Sequence, residues 1–479
     1  MMLLTLLVYL VVLFGVSRWT SRKATNESFF RAERKSPWYM VAFGMVGASI
    51  SGVTFVSVPG MVTSIGMAYL QTCLGFIVGY FVVAYVLLPL YYRLNLTSIY
   101  TYLGQRFGPR AYLTGAWFFL ISKMSGAAVA FYVVCELVGD GLGIKAEGGA
   151  WNVEGVFALT VVGMVALIWL YTRRGGIKTL VWTDTVQTLC LLVALLLIIY
   201  KVTRELGMTP AEAVRAVSDS PLSRIFVMDD WASKQNFWKQ FLSGIFIVIV
   251  MTGLDQDKMQ KNLTCKTLRE AQKDMTTYGF AFVPVNLLFL SLGVLLVLLA
   301  EAQGVALPMA GDKLLPMFAA TGALGNVVVV LFTLGVVAAS FSSADSAITS
   351  MTTSFCIDIC RKPDDERLRK RAHLGISLVF IVFILAFRLL NSTSVIDAIY
   401  VLVSYTYGPL LGLFAFGLLT KRKPRDGWVP YIAVASPLIC LVIDKAAAAA
   451  GYTFGYELLM LNGLLTFFLL GISSKKIKV

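Results

Sequence analysis

Apolar runs close to the roughly 20 residues that cross a bilayer recur from one end of the chain to the other, with short polar loops between them. They predict thirteen membrane spans, near residues 1–17, 38–60, 70–92, 111–138, 154–172, 176–200, 236–257, 276–300, 323–354, 374–390, 396–420, 428–446 and 453–473. The predicted fold class is an all-α membrane protein. The first run is expected to remain as a span, because no basic stretch precedes its apolar core and no small-residue cleavage site follows it. The longest loop, 201–235, has room for one short surface helix, and no loop is long enough for a soluble domain.

Three runs are interrupted by polar residues. The first interruption with chemical content is Ala338-Ala339-Ser340-Phe341-Ser342-Ser343-Ala344-Asp345-Ser346, which follows apolar sequence from Val327 to Val337. A carboxylate at bilayer depth costs about 2.5 kcal/mol or more, which marks an ion or substrate site. Ser342, Ser343, Asp345 and Ser346 can face one small cavity from a helix. Hard oxygen donors of this kind suit a small hard cation such as Na⁺. A serine-rich helix contact is the alternative, although packing does not require Asp345. The second interruption, Gly47-Ala48-Ser49-Ile50-Ser51-Gly52, weakens a helix and turns carbonyls toward a cavity; glycines that serve packing alone are the other explanation. The third is Thr252-Gly253-Leu254-Asp255-Gln256-Asp257.

The last two interruptions fall in matching places. Spans two to six and spans seven to eleven are each five helices, and since five is odd the second set is inverted relative to the first. The expected organisation is one polytopic unit: an extra N-terminal helix and loop (1–37), a first repeat (38–202), an inverted second repeat (236–420) and C-terminal helices (421–479). Inverted repeats with interrupted helices at the midplane are a design of secondary transporters.

Composition agrees with the membrane: 58% of residues are hydrophobic and 14% charged, against roughly 25% charged in soluble domains. The net charge of +14 raises nucleic acid as a partner. Its distribution argues against that, because Lys and Arg cluster in alternate loops, as at Arg18 to Lys35, Lys258 to Lys273, Arg361 to Arg371 and Lys475 to Lys478. This positive-inside pattern puts the N-terminus outside and the C-terminus in the cytoplasm of a bacterial inner (plasma) membrane, with anionic lipid as the basic loops' partner. The seven cysteines show no pair in an outside loop, so no structural disulfide is expected, and Cys356-x3-Cys360 lacks zinc spacing. The single histidine, His373, falls in a basic cytoplasmic loop with nothing nearby to complete a catalytic constellation. Lys123 lies inside a span, roughly 20 Å from Arg110 at 1.5 Å per residue. It is read as a counter-ion for a substrate carboxylate, as an internal partner of Asp345 or Asp184, or as a snorkelling side chain.

Three more stretches carry a family resemblance. Leu96-Thr97-Ser98-Ile99-Tyr100-Thr101-Tyr102-Leu103-Gly104-Gln105-Arg106-Phe107-Gly108 follows the third span. Gly175-Gly176-Ile177-Lys178 leads into Trp182-Thr183-Asp184-Thr185-Val186-Gln187. Tyr405-Thr406-Tyr407-Gly408-Pro409-Leu410-Leu411-Gly412-Leu413-Phe414 lies in a late span. Together, in this order, they resemble the motifs of the sodium:solute symporter family, over nearly the whole chain.

The resemblance implies a leucine-transporter-like fold, in agreement with the inverted five-plus-five repeat. It implies a first sodium site formed by the carbonyls of Gly47, Ile50 and Ala339 with the hydroxyls of Ser342 and Ser343. A second cation, sodium or a proton, is implied at Asp184 with Asp345 and Ser346; Asp345 stands where the family usually has serine. A hydrogen bond pinning two helices is the alternative for Asp184. Ser49, Thr54, Lys123, Asp255 and Gln256 fall on the substrate side, whereas Asp257 and Lys258 are expected as a solvated pair at the cytoplasmic mouth. Thr54 is shorter than the polar residue of sugar-carrying relatives, which weakens a sugar substrate, and Lys123 points toward an organic anion.

The expected function is sodium-coupled symport of a small polar organic solute by alternating access, with one or two Na⁺ as coupling ions. A monomer or weak homo-oligomer suffices. Proton-coupled symport in the same fold is the alternative, and a transporter-like sensor acting through a partner is another, although the chain ends at Lys475 to Val479 with no signalling module. No nucleic-acid partner is expected. A membrane enzyme lacks a catalytic constellation here, and two separate broken helices suit alternating access better than a continuous pore.

Overall fold

A computed structural model describes residues 2–141, 153–231, 233–320, 322–390 and 395–475. Among them are nine helices long and apolar enough to cross a membrane, two further helix pairs bent at short breaks, and two shorter apolar helices near the chain ends. These correspond one for one to the thirteen predicted spans. Of the terminal basic cluster, the residues after Lys475 lie outside the described residues.

The membrane helices are α1 (Met2–Thr20), α2 (Trp38–Ser49), α3 (Gly52–Ile65), α4 (Tyr69–Arg93), α5 (Pro109–Gly141), α6 (Val153–Thr172), α7 (Ile177–Glu205), α8 (Phe237–Gly253), α9 (Gln256–Asn262), α10 (Leu268–Gln303), α11 (Asn326–Ile359), α12 (Glu366–Leu390), α13 (Val395–Leu419), α14 (Val429–Ala449) and α15 (Leu458–Ser473). Helices dominate because hydrocarbon offers no partner for a backbone N–H or C=O, so each span must satisfy its own. In the 201–235 loop a ten-residue helix, Pro210–Asp219, opens on a Thr209–Glu212 capping box, a pairing that satisfies two otherwise free N–H groups.

The breaks have local causes. Between α2 and α3 the chain bends by 61°. Ile50 and Ser51 leave helical geometry (φ/ψ −86/86° and −71/168°), and the Ser51 hydroxyl caps α3 by accepting from the Thr54 N–H at 3.4 Å. Between α8 and α9 the bend is 69°. Here Asp255 (φ/ψ −104/119°) is the cap, its carboxylate accepting from the Asp257 N–H at 2.8 Å. Carbonyls freed at this break are met from the first repeat: the Tyr91 hydroxyl donates to Gly253 O at 2.8 Å and the Tyr100 hydroxyl to Leu254 O at 2.9 Å. The motif after the third span has a similar role at the end of α13, where the Arg106 guanidinium donates to the carbonyls of Gly417, Thr420 and Arg422, as cations commonly do at helix C-termini.

The two repeats meet where α4 and α8 cross with little room. A Cβ on Gly75 would run into Phe241 O, and one on Gly244 into Thr72 O, the close approach that small residues permit between membrane helices. Gly244→Val is therefore expected to destabilise the detergent-solubilised protein by about 1–3 kcal/mol, the usual range for overpacking, seen as a lower melting temperature. Gly163→Val, where an added Cβ meets nothing within 4 Å, is the control and should melt like the wild type. Equal melting of the two variants would show that the crossing is looser than described.

Candidate functional site

Both breaks face one cavity of about 200 Å³. Of the substrate-side candidates, Ser49, Thr54, Lys123 and Asp255 line it, as do Ser343 and Lys258. Ser49 shares a hydrogen bond with the Tyr278 hydroxyl at 2.5 Å. Gln256 is placed elsewhere. Its side-chain amide donates to Thr97 O at 2.8 Å and accepts from the Ile99 N–H at 3.0 Å, so it fastens α9 to the 96–108 motif instead of facing the cavity.

The candidates for the first sodium come from two elements that cross. Gly47 and Ile50 stand at the end of α2, with Ala339, Ser342 and Ser343 on α11. The Ser343 hydroxyl lies 3.2 Å from Ala339 O and 3.4 Å from Ala48 O, so one side chain spans from α11 to the broken helix. A Cβ on Gly52 would strike the Ser340 hydroxyl; the glycine is what lets α3 start against α11. The Ser342 hydroxyl turns toward α7 and donates to Asp184 Oδ1 at 2.7 Å. This bond is the helix-pinning contact considered for Asp184.

The second cation position looks different from the sequence-based expectation. Lys261 Nζ lies 2.7 Å from Asp184 Oδ2, with 2% and 1% of the two side chains exposed. A protein ammonium thus stands beside Asp184, where the family resemblance implies sodium or a proton. Asp345, fully buried, accepts from the Tyr171 hydroxyl at 2.5 Å and from Ser346 at 3.2 Å. It therefore has hydroxyl partners of its own.

Lys123 pairs with neither Asp345 nor Asp184, and it does not snorkel. Its ammonium lies 2.7 Å from Asp257 and 3.3 Å from Asp255, and the Tyr407 hydroxyl donates to Asp255 at 2.7 Å. Asp257 and Lys258 are not a solvated pair at the mouth; only 2% and 8% of them are exposed. Lys258 reaches back to α2 and donates to Ala48 O at 2.8 Å. His373 also departs from expectation. It is buried within α12, between the Thr172 hydroxyl at 2.9 Å and the Thr352 hydroxyl at 3.1 Å.

Lys261, Tyr171 and Tyr407 escape the sequence reading, and Lys258 is placed by it at the mouth instead of the cavity. The two lysines looked like the start of a basic loop. The available signal was their spacing of three on a segment that follows a glycine-bearing break, which puts both on one helical face with an acidic residue beside them. Tyr407 lies inside a motif that the sequence comparison singled out, without a role attached.

Broken helices at equivalent places in two inverted repeats, facing a shared cavity, define a secondary transporter. The model of the sodium:solute symporter family matches residues 29–429. The sodium/sialic acid symporter SiaT of Proteus mirabilis is 24% identical over 463 residues, covering 89% of this chain and 85% of that protein. The sodium/sialic acid symporter NanT of Aliivibrio fischeri is 24% identical over 453 residues, covering 88% and 83%. A solved structure of a sodium-coupled sialic acid symporter, substrate-bound and outward-open, superposes with a TM-score of 0.84 at 19% identity, covering 99% of this chain and 98% of that one. The chain belongs to the sodium:solute symporter family, and with it to the multi-pass membrane transporters that couple a solute to sodium.

The Asp184–Lys261 pair joins α7 to α9. Breaking a buried ion pair from one side costs about 3–5 kcal/mol, because it strands a charge. Lys261→Met should lower the melting temperature accordingly, and adding Asp184→Asn in the same chain should recover the larger part. A Lys261→Met protein that melts like the wild type would mean that the pair does not hold α9 to α7.

Proposed function

We propose that this protein takes up a small polar organic solute by alternating access, coupled to one sodium ion bound between the broken helix α2/α3 and α11. The observation that carries this reading is the Ser343 hydroxyl, which bridges the Ala339 carbonyl and the Ala48 carbonyl across the break. Gly47, Ile50, Ala339, Ser342 and Ser343 would supply five neutral oxygens, the hard donor type that suits a hard cation. Among the described residues no group of three or more His, Cys, Asp and Glu side chains gathers to hold a metal ion, so a shell of carbonyls and hydroxyls is the arrangement to test. One ion is favoured over two because Lys261 already stands beside Asp184.

Sodium entering down its gradient would join α2 to α11 and complete the adjoining solute cavity, after which the loaded carrier would rock to the other side. Each coupled charge contributes about 2.3 kcal/mol per 100 mV of membrane potential. The sialic acid named for the two bacterial relatives supports an organic acid as the solute class. The distribution of basic loops supports an inner-membrane orientation with the N-terminus outside and the C-terminus in the cytoplasm.

The test is sodium-dependent thermal stabilisation of the purified protein, with potassium as control. A hydrogen-bond-sized contact to a charge is worth about 1.5–3 kcal/mol. Ser343→Ala is therefore expected to raise the half-saturating sodium concentration at least tenfold while leaving the melting temperature in potassium nearly unchanged. Stabilisation that ignores both sodium and Ser343→Ala would overturn the site and direct attention to proton coupling at Asp345.

A further inference from the structure

Among the described residues two buried lysines, Lys258 and Lys261, and the half-buried Lys123 surround the two breaks, and they are not equivalent. Lys123 has Asp257 at 2.7 Å and Asp255 at 3.3 Å. Lys261 has Asp184 at 2.7 Å. Lys258 makes no ion pair among the described residues; its ammonium donates to the neutral backbone oxygen of Ala48 at 2.8 Å. It is 8% exposed, and it lines the solute cavity. A buried ammonium that touches a carbonyl dipole and makes no direct ion pair is less fully compensated than its two neighbours. The cavity's two carboxylates act on it only through space, since Asp257 is bonded to Lys123 and Asp255 is shared by Lys123 and Tyr407.

The position of Ala48 adds a second observation. It lies between Gly47 and Ile50, whose carbonyls belong to the proposed sodium shell, and the Ser343 hydroxyl stands 3.4 Å from the same Ala48 oxygen. The ammonium therefore sits at the boundary between the ion's place and the solute's. We propose that Lys258, and not Lys123, binds the carboxylate of the transported solute, and that through it sodium and solute sense each other. This rests on the sodium-symport reading above.

The physics is electrostatic. Sodium at the Gly47 and Ile50 carbonyls repels an ammonium held on the carbonyl between them. A carboxylate in the cavity attracts that ammonium away from α2. Each ligand favours the side-chain position that the other requires, and such linkage is reciprocal: whatever factor sodium adds to solute affinity, the solute adds to sodium affinity. Lys123, held by two aspartates, has no uncompensated charge to offer. An Arg or Lys that recognises a carboxylate through a charge-assisted bond also discriminates sharply against a neutral ester of the same shape.

The experiment measures thermal-shift affinities of the full-length protein in sodium and in potassium. The probes are N-acetylneuraminate, lactate and proline, each beside its methyl ester. For the wild type, at least one acid should bind in sodium at least tenfold better than its ester. Lys258→Gln should still be stabilised by sodium alone, which reports a folded ion site. It should bind the acid no better than the ester, and its residual affinity should differ little between sodium and potassium. Lys258→Arg, which keeps the charge, should retain the preference for the acid within a few-fold, and it reads the same claim if the neutral variant does not fold. The proposal is overturned if no acid binds, if Lys258→Gln keeps the wild-type preference, or if Lys258→Arg loses it. A wild type that responds to solute but not to sodium would instead sink the sodium reading and leave the role of Lys258 as carboxylate anchor standing.

Discussion

A full charge at membrane depth is tolerated only where another charge or a set of dipoles meets it, and that requirement organises the centre of this molecule. The short helix α9 carries Asp257, Lys258 and Lys261 into the interior. Each of them is met by a different element: Asp257 by Lys123 of α5, Lys261 by Asp184 of α7, and Lys258 by the end of α2. Asp255, at the break itself, draws in Tyr407 of α13. The freed carbonyls of Gly253 and Leu254 draw in Tyr91 and Tyr100. The break between α8 and α9 is thus fastened from almost every side.

The break between α2 and α3 is held differently. Its Ala48 carbonyl is approached by the ammonium of Lys258 and the hydroxyl of Ser343. Ion pairs gather at one break, and hydrogen bonds to a backbone carbonyl at the other. With sodium bound as proposed, the break in the second repeat would be the rigid part and that in the first the ion-responsive part. Ser342 links the two, since it belongs to the proposed sodium shell and also donates to Asp184, the partner of Lys261.

Much of this was legible from the chain. The span lengths marked the membrane helices, and the odd number of helices per set required inversion. The glycine–serine and glycine–aspartate interruptions located both breaks, because glycine weakens a helix and serine or aspartate caps the next one. The polar run on α11 showed its face. What the chain hid was pairing. Lys258 and Lys261 continue a basic cluster, and only the 69° bend at the break shows that they turn inward and not into solvent. Lys123 advertised a buried charge without naming its partner, since Asp255 and Asp257 are more than a hundred residues away. Gln256 has a substrate-side neighbour in Asp255, yet one step along a helix is about a 100° turn, which sends its amide to the backbone of Thr97 and Ile99.

With Lys261 beside Asp184, the proposed mechanism uses a single sodium per cycle. The most direct measurement is the number of sodium ions moved per solute, from the reversal potential of solute flux in proteoliposomes with set sodium and solute gradients. A ratio of one sodium per solute is the expected result. A ratio of two would contradict it, since a second ion would then have to displace Lys261 from Asp184 or bind at other oxygens.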